Sequence, residues 1–108
     1  DSAKAIARHE LLCSLDDVIR EASRCLKSKG KMYMVHRPNR LVDIFDTMRK
    51  YHLDPKRMRL VYPYVNKAAN MVLIEAVKGG NSQLIVEEPL IVYKTDGTYT
   101  DALLKMYE

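Results

Sequence analysis

Side chains that could carry covalent or metal chemistry are few in this sequence. The histidines His9, His36 and His52 are not at the spacing of metal ligands. Cys13 and Cys25 are separated by twelve positions without a Cys-x-x-Cys pair, which predicts reduced thiols packed in the core and no metal site. The sequence has no glycine-rich phosphate loop, no paired carboxylates at a strand end and no Ser or Cys on a nucleophile turn. It therefore does not predict catalysis by this chain alone.

Electrostatic binding is the chemistry that remains, because positive charge is concentrated in the first half of the chain. The formal net charge is +4, yet twelve basic side chains face four acidic ones between Arg20 and Arg59. Residues 60 to 108 instead carry four basic and six acidic side chains. Such asymmetry is typical of a surface that meets a polyanion. The alternative is that these residues only solvate ordinary helix faces, and charge alone leaves both interpretations open.

The elements that must position these side chains follow from the apolar spacing and the turn residues. The predicted elements are a helix from Ser14 that stops before Gly30, a strand buried on both faces at 31–36, a helix at 41–52 closed by Asp54-Pro55, two strands at 59–64 and 70–77, irregular strands at 84–86 and 89–93, and a short helix at 100–106. The connection at 65–69 is too short for a parallel crossover, so it predicts an antiparallel hairpin. The alternation of helices and strands before it predicts a sheet that begins parallel.

Length and composition limit the class of protein. The 108 residues have room for one domain, and 47% hydrophobic with 30% charged residues excludes collagen-like, disulfide-scaffold and low-complexity chains. No apolar run approaches the roughly 20 residues of a bilayer span, and no secretory signal opens the chain. We therefore expect a cytoplasmic protein without a membrane segment. The first residue is Asp1, not Met, which is the pattern expected of a piece of a longer chain.

Five segments in order resemble the C-terminal half of a bacterial tRNA methyltransferase. The family is that of S-adenosylmethionine-dependent enzymes that methylate adenine N6 beside the anticodon of a valine tRNA. The segments are Ala7-Arg8-His9-Glu10, Met34-Val35-His36-Arg37-Pro38-Asn39-Arg40-Leu41, Asn70-Met71-Val72-Leu73-Ile74-Glu75-Ala76, Pro89-Leu90-Ile91-Val92-Tyr93 and Asp96-Gly97-Thr98-Tyr99-Thr100. The resemblance covers nearly all of the chain.

The resemblance implies an α/β fold, namely the C-terminal half of a Rossmann-like methyltransferase sheet that ends in an antiparallel hairpin. Residues 1–108 would then form a single partial domain. The family's cofactor loop and its Asn-Pro-Pro-Tyr catalytic motif come earlier in its chains, so the S-adenosylmethionine site would lie outside this chain and the chain would be inactive alone. The missing half, or another copy of the chain, would cover the uncovered edge and faces of the sheet.

RNA contact is what this half would add, by neutralising phosphates of tRNA. The candidate RNA-binding residues are Arg8, His9, Arg37, Arg40 and Lys67. The alternative roles are loop-stapling hydrogen bonds for the first pair, packing at a helix N-terminus for the second pair, and simple solvation for Lys67. Tyr62 and Tyr64 could stack on bases, or they could pack within the hairpin.

Other functions remain open at this level. The same half-fold could belong to a protein or ribosomal-RNA methyltransferase. The chain could also be a free-standing basic RNA-binding module, or a dimerisation domain that self-associates through the exposed half-sheet.

Overall fold

The computed structural model describes residues 14–107. In chain order the elements are α1 (Leu15–Cys25), β1 (Lys31–His36), a 3-10 turn (Pro38–Arg40), α2 (Leu41–Lys50), β2 (Leu53–Tyr62), β3 (Met71–Lys78), β4 (Ile85–Val86), β5 (Leu90–Ile91) and α3 (Asp101–Lys105). The predicted order of helices and strands is confirmed, with differences in where several elements begin and end. Within these residues no helix combines the length and the apolarity that crossing a bilayer requires.

Both ends of α1 are held by side chains. The Ser14 hydroxyl accepts a hydrogen bond from the Asp17 amide at 3.1 Å, and the Asp17 carboxylate accepts one from the Ser14 amide at 3.2 Å. This reciprocal pair satisfies amides that the first turn leaves unbonded. At the other end the Lys78 ammonium donates to the carbonyls of Ser23 and Leu26, the latter at 2.8 Å. A cation there favours the negative end of the helix dipole. The predicted start at Ser14 is confirmed, whereas the helix ends at Cys25, before the basic turn and Gly30 that were predicted to stop it.

The sheet has the order β1-β3-β2, with β3 antiparallel to both neighbours. The predicted antiparallel hairpin of β2 and β3 is therefore confirmed. The prediction that the sheet begins parallel is wrong in detail, because β3 inserts between β1 and β2, which run in the same direction without pairing. The parallel pairs are formed instead by the short strands β4 and β5, which both pair with the other side of β2.

The strand β2 begins six residues earlier than the predicted strand at 59–64. The turn that ends α2 uses His52 in the left-handed region at φ 62°, and the chain enters the sheet at Leu53. Asp54-Pro55, predicted to close the helix, lies inside the strand. The pairing register shifts between Pro55 and Arg57, and a strand tolerates a proline at such a bulge because one ladder hydrogen bond is already absent.

Both long helices pack on one face of the sheet, and the core lies between them and that face. The fully or nearly fully buried residues of this core are Ile19, Ile44, Met48, Leu53, Met58, Val72, Ile74 and Ala76. The opposite face of β1 is open, since Tyr33 is 70% exposed and Val35 is 57% exposed. The prediction that β1 is buried on both faces is wrong, because β1 is an edge strand with helices on one side only.

Cys25 is exposed, contrary to the predicted core position. Ile19 and Ser23 are the buried residues of α1, one helical turn apart. Cys25 is six residues after Ile19, which places it about 240° around the helix from the buried side. Ser23 takes the core position, and its hydroxyl donates to the Tyr51 carbonyl at 2.6 Å. Cys13 lies outside the described residues.

Polar contacts of Asp16 join the first turn of α1 to the end of α2. Its carboxylate accepts hydrogen bonds from the Tyr51 hydroxyl at 2.6 Å and from the Lys50 ammonium at 2.9 Å. The Tyr51 hydrogen bond, followed by the one from Lys50, lowers the pKa of Asp16 below its ordinary value of 3.8. The carboxylate is therefore ionised at neutral pH, and its two hydrogen bonds hold α1 against the end of α2.

Candidate nucleic-acid interface

The ends of β1, β2 and β5 meet at one edge of the sheet. His36 at the end of β1 and Leu60 in β2 both pair with Val72 of β3, so these two strands end at a similar level. Strand β5 is parallel to β2, with Tyr62 paired to Ile91. The segments that leave these three strands are 37–40, 63–70 and 92–100, and together they form what we call the carboxyl edge. Open α/β sheets bind ligands beyond the carboxyl ends of their strands.

Arg37 and Arg40 occupy the turn between β1 and α2. Arg37 has an extended backbone, with φ −73° and ψ 141°, as the residue before Pro38 prefers. Its amide donates to His36 Nδ1 at 2.9 Å, and its side chain forms no ion pair within residues 14–107. Arg40 Nε donates to Asp43 at 3.0 Å in a pair whose side chains are 47% and 64% exposed. Exposed pairs of this kind are weak, so a phosphate could displace the carboxylate.

Helix stability does not explain two arginines at this position. They lie at the N-terminus of α2, where the helix dipole is positive and cations are unfavourable. No side chain caps this end of the helix, and Asp43 is the acidic residue of its first turn. Two arginines, the exposed turn and the dipole instead give one positive surface that favours an anion.

Lys67 lies in the loop between β2 and β3, at the same edge. Its amide donates to the Tyr64 carbonyl at 3.1 Å, and the loop closes where the Asn70 amide donates to the Val61 carbonyl at 3.0 Å. The Lys67 side chain is exposed and forms no ion pair in the described part of the chain. The fold thus brings Arg37, Arg40 and Lys67 to one edge, although they are up to thirty positions apart. Arg8 and His9 lie outside the described residues.

Three tyrosines form a row at the same edge, which we call the tyrosine row. The ring centroids of Tyr64 and Tyr93 are 5.4 Å apart at an interplanar angle of 31°. Those of Tyr93 and Tyr99 are 5.5 Å apart at 20°, which is a stacked arrangement. Tyr64 and Tyr93 are half-buried, whereas the outermost ring, Tyr99, is 52% exposed. Sequence reasoning singled out Tyr64 but missed Tyr93 and Tyr99.

A tight turn holds Tyr99 beside Tyr93. The two residues form an isolated antiparallel bridge, closed by hydrogen bonds from the Lys94 amide to the Thr98 carbonyl at 2.7 Å and from the Gly97 amide to the Lys94 carbonyl at 2.9 Å. Gly97 takes the left-handed conformation that the turn needs, at φ 87°. The spacing of two tyrosines around a Thr-Asp-Gly turn was the sequence signal that could have revealed this stack.

The carboxylate in this turn, Asp96, accepts hydrogen bonds from a residue of the same turn. Asp96 Oδ1 accepts hydrogen bonds from the Thr98 hydroxyl at 2.6 Å and from the Thr98 amide at 2.9 Å. The hydroxyl bond, followed by the amide bond, lowers the pKa of Asp96 below its ordinary value of 3.8. Asp96 is therefore ionised at neutral pH, and this end of the carboxyl edge is less positive than the end with the two arginines.

A groove of about 400 Å³ lies on the open face of the sheet, away from both helices. Its lining includes Tyr33, Leu73, Glu75, Arg57 and Arg59, and we call it the sheet groove. The Tyr33 hydroxyl donates to Glu75 at 3.0 Å, Arg57 pairs with Glu87, and Arg59 Nε donates to the Glu88 carbonyl at 3.1 Å. These charged groups already have partners, so the groove is an apolar surface with paired polar groups at its sides.

No cradle for a nucleotide-like cofactor is formed by the glycines of this chain. Gly30, Gly79 and Gly80 lie at the opposite edge of the sheet, before β1 and after β3. A Cβ added at Gly30 would approach the Lys27 carbonyl oxygen to 2.9 Å, so that glycine is required by its own turn. Gly97 is at the carboxyl edge, but nothing lies within 4 Å of an added Cβ there. The described residues also bring together no group of three or more His, Cys, Asp or Glu that could hold a metal ion.

Comparison with solved structures shows a similar fold in a larger protein. The crystal structure of a predicted O-methyltransferase, protein Atu636 from Agrobacterium tumefaciens, matches with a TM-score of 0.78 and 25% sequence identity. The match covers 85% of this chain and 44% of that chain, so this chain spans less than half the length of its structural neighbour. No protein-family model and no curated protein matches the chain. The likeness shows that this chain has a mixed α/β fold similar to that of a methyltransferase structure, in agreement with the predicted fold class.

Proposed function

We propose that this chain is the C-terminal, substrate-side half of an S-adenosylmethionine-dependent methyltransferase that methylates adenine N6 in tRNA near the anticodon. The observation that supports the proposal is the match to 44% of a predicted O-methyltransferase with a TM-score of 0.78. That neighbour is a predicted O-methyltransferase, a name that refers to an oxygen acceptor. The nitrogen acceptor and the tRNA substrate therefore rest on the five sequence segments alone, and they are the finer part of the proposal.

In this proposal the chain's own residues bind and orient RNA. Arg37, Arg40 and Lys67 neutralise phosphates along the carboxyl edge, and Arg8 and His9 add contacts from the preceding segment. S-adenosylmethionine supplies the methyl group from its sulfonium, and its site belongs to the other half of the protein. No residue of this chain is assigned to the cofactor, because its glycines do not form a cradle at the carboxyl edge.

The longer coding sequence provides the direct test. We expect a glycine-rich strand-loop followed by Asn-Pro-Pro-Tyr to be encoded upstream of Asp1. A start codon just before Asp1 would contradict the proposal that this chain is half of a methyltransferase.

The longer protein can also be incubated with methyl-labelled S-adenosylmethionine and tRNA transcripts. After nuclease digestion and chromatography, the label should be found in N6-methyladenosine. Label in a 2′-O-methylnucleoside, in ribosomal RNA or in protein would refute the adenine-N6 assignment. Calorimetry of the 108-residue chain with S-adenosylmethionine should show no binding.

The open face of the sheet fits the same proposal. The sheet groove and the unpaired side of β1 expose Tyr33 and Val35, which a monomer would ordinarily cover. In the longer protein the cofactor half would cover them. In the isolated chain we propose that a second copy does so.

Light scattering should therefore give a mass for the isolated chain that rises with concentration. Tyr33→Lys should lower this association, because it places a charge on the open face. The matched control Val42→Lys changes a residue that is 81% exposed on α2, and it should leave the association unchanged. A constant monomer mass for the unmodified chain would exclude self-association through this face.

A further inference from the structure

We propose that the tyrosine row is a stacking platform for unpaired bases of single-stranded RNA, with Tyr99 as the ring that receives the first base. This inference rests on the proposed function for its RNA substrate, and it adds a second kind of contact to the phosphate contacts at Arg37, Arg40 and Lys67. The observations behind it are the row of three rings, of which Tyr93 and Tyr99 are stacked, its position at the carboxyl edge and the exposure of its last ring.

The tyrosine row extends from residues held by paired strands to a ring that is exposed to solvent. Tyr64 follows β2 and Tyr93 follows β5, so both are held by paired strands, and each is half-buried. The Tyr93 amide donates to the Pro63 carbonyl at 2.9 Å, which fixes the backbone beneath the first two rings. Tyr99 is stacked on this rigid base at 5.5 Å and is 52% exposed. The exposed Tyr99 ring at the end of this row can stack on one more flat ring, as in proteins that stack bases on aromatic side chains.

The charges near the row favour a base over a phosphate. Asp96 is ionised and lies three residues before Tyr99, while Lys94 lies two residues before Asp96. These opposite charges largely cancel at this end of the edge. The two arginines and the N-terminus of α2 supply the positive potential at the other end. The two arginines and the outer end of the tyrosine row are therefore separated along the edge, whereas Lys67 lies in the same loop as Tyr64 and can contact a phosphate beside the row.

The length of the edge suits a short single strand. Strands β1, β3, β2 and β5 lie side by side, so the ends of β1 and β5 are about 14 Å apart at the usual strand spacing of about 4.8 Å. Phosphates of one strand are about 3.4 Å apart along a duplex axis and farther apart when the strand is extended. A strand of two to four nucleotides would span the distance between these two strand ends.

Binding of short oligonucleotides to the 108-residue chain tests the platform. The probes are a fluorescein-labelled adenylate hexamer and a hexamer with the same ribose-phosphate backbone but abasic sites. We expect the adenylate hexamer to bind about tenfold more tightly than the abasic one, as measured by fluorescence anisotropy, because each stacked base adds affinity. Tyr99→Leu should remove most of this difference, whereas Tyr99→Phe should keep it. The dependence of the affinity on salt should be the same in all three proteins, since stacking releases no counterions.

A tryptophan variant gives an independent signal. The chain has no Trp, so Tyr99→Trp introduces a single indole at the end of the row. Its emission should be quenched by the adenylate hexamer and not by the abasic hexamer.

The matched control for Tyr99→Leu in the affinity measurement is Tyr107→Leu, which removes a tyrosine that is 82% exposed in the C-terminal segment outside the row. It should change the affinity by less than twofold.

Several outcomes would overturn the platform. Equal binding of the two hexamers would do so, and so would a Tyr99→Leu variant with unchanged melting temperature and unchanged affinity. Equally tight, Tyr99-dependent binding of a poly-glutamate peptide would assign the row to protein recognition. If the longer protein methylates no tRNA but the hexamer results hold, the methyltransferase proposal fails and the platform stands. If tRNA is methylated and the hexamers bind equally, only the platform fails.

Discussion

Replacing Ile44 with alanine should lower the free energy of unfolding of this chain by about 2 to 5 kcal/mol. The Ile44 side chain is fully buried where α2 packs on the sheet, against a cluster that includes Val72 and Ile74 of β3. Truncation removes apolar contacts and leaves a cavity that the close-packed neighbours fill only in part. Because single domains unfold at a cost of about 5 to 15 kcal/mol, the variant would keep a small margin of stability. Urea unfolding followed by far-UV circular dichroism would measure the change.

Val42→Ala provides the matched control on the same helix. Val42 is 81% exposed, two residues before Ile44, so its truncation should change the free energy of unfolding by less than about 0.5 kcal/mol. The comparison separates the loss of core packing from the change in helix propensity that both substitutions share. If both variants were equally destabilised, α2 would not pack on the sheet through the Ile44 side.

Much of the fold was predictable because its signals are local. Ser14 and Asp17 are three residues apart and form the capping contacts themselves, so the start of α1 follows from its own sequence. The short 65–69 connection requires an antiparallel pair, and the strand pairing has that direction. The turn at Arg37-Pro38 likewise separates a strand from a helix through the restricted backbone of a residue before proline.

The errors concern long-range arrangement. The position of β3 between β1 and β2 depends on which edges meet in three dimensions, and the apolar sequence of β1 does not reveal that its second face has no cover. The apolar spacing of α1 also placed Cys25 wrongly in the core, because hydrophobicity favours a thiol over the Ser23 hydroxyl that is buried there. Burial of the Ser23 hydroxyl costs little free energy because the carbonyl of Tyr51, which follows α2, accepts its hydrogen bond.

In the candidate site, too, the residues that could be predicted are those placed by local sequence signals. Arg37 and Arg40 could be placed at a strand end from the sequence, because the break between strand and helix is local. The tyrosine row could not, since Tyr64 and Tyr93 meet only when β5 pairs with β2. Residues of such a row have no common spacing in the chain, and only the strand order shows that they belong together.

Reversing both charges of Arg37 and Arg40 should weaken binding of a tRNA transcript to this chain by about tenfold to a hundredfold in 50 mM salt. Each phosphate contact contributes about 1 kcal/mol or more across a few ångströms of water, and a glutamate replaces that attraction with repulsion. The plot of log affinity against log salt concentration should also become shallower by about 1.4 to 1.8, because two contacts no longer release counterions. Filter binding or anisotropy across 50 to 200 mM salt would measure both effects. Arg37→Glu alone should produce about half of the change in slope.

The control must alter the net charge equally at another place, since overall charge alone affects binding to a polyanion. Arg24→Glu with Lys27→Glu does this at the C-terminal end of α1, beside the amino end of β1 and away from the carboxyl edge. Both control residues are exposed, and Arg24 has only a surface pair with Glu21 to lose. The control pair should reduce tRNA affinity by less than threefold, within the range expected of long-range electrostatics at this salt concentration. Equal losses in the two double variants would mean that tRNA senses only the net charge of the chain, and the carboxyl edge would then not be the RNA-binding surface.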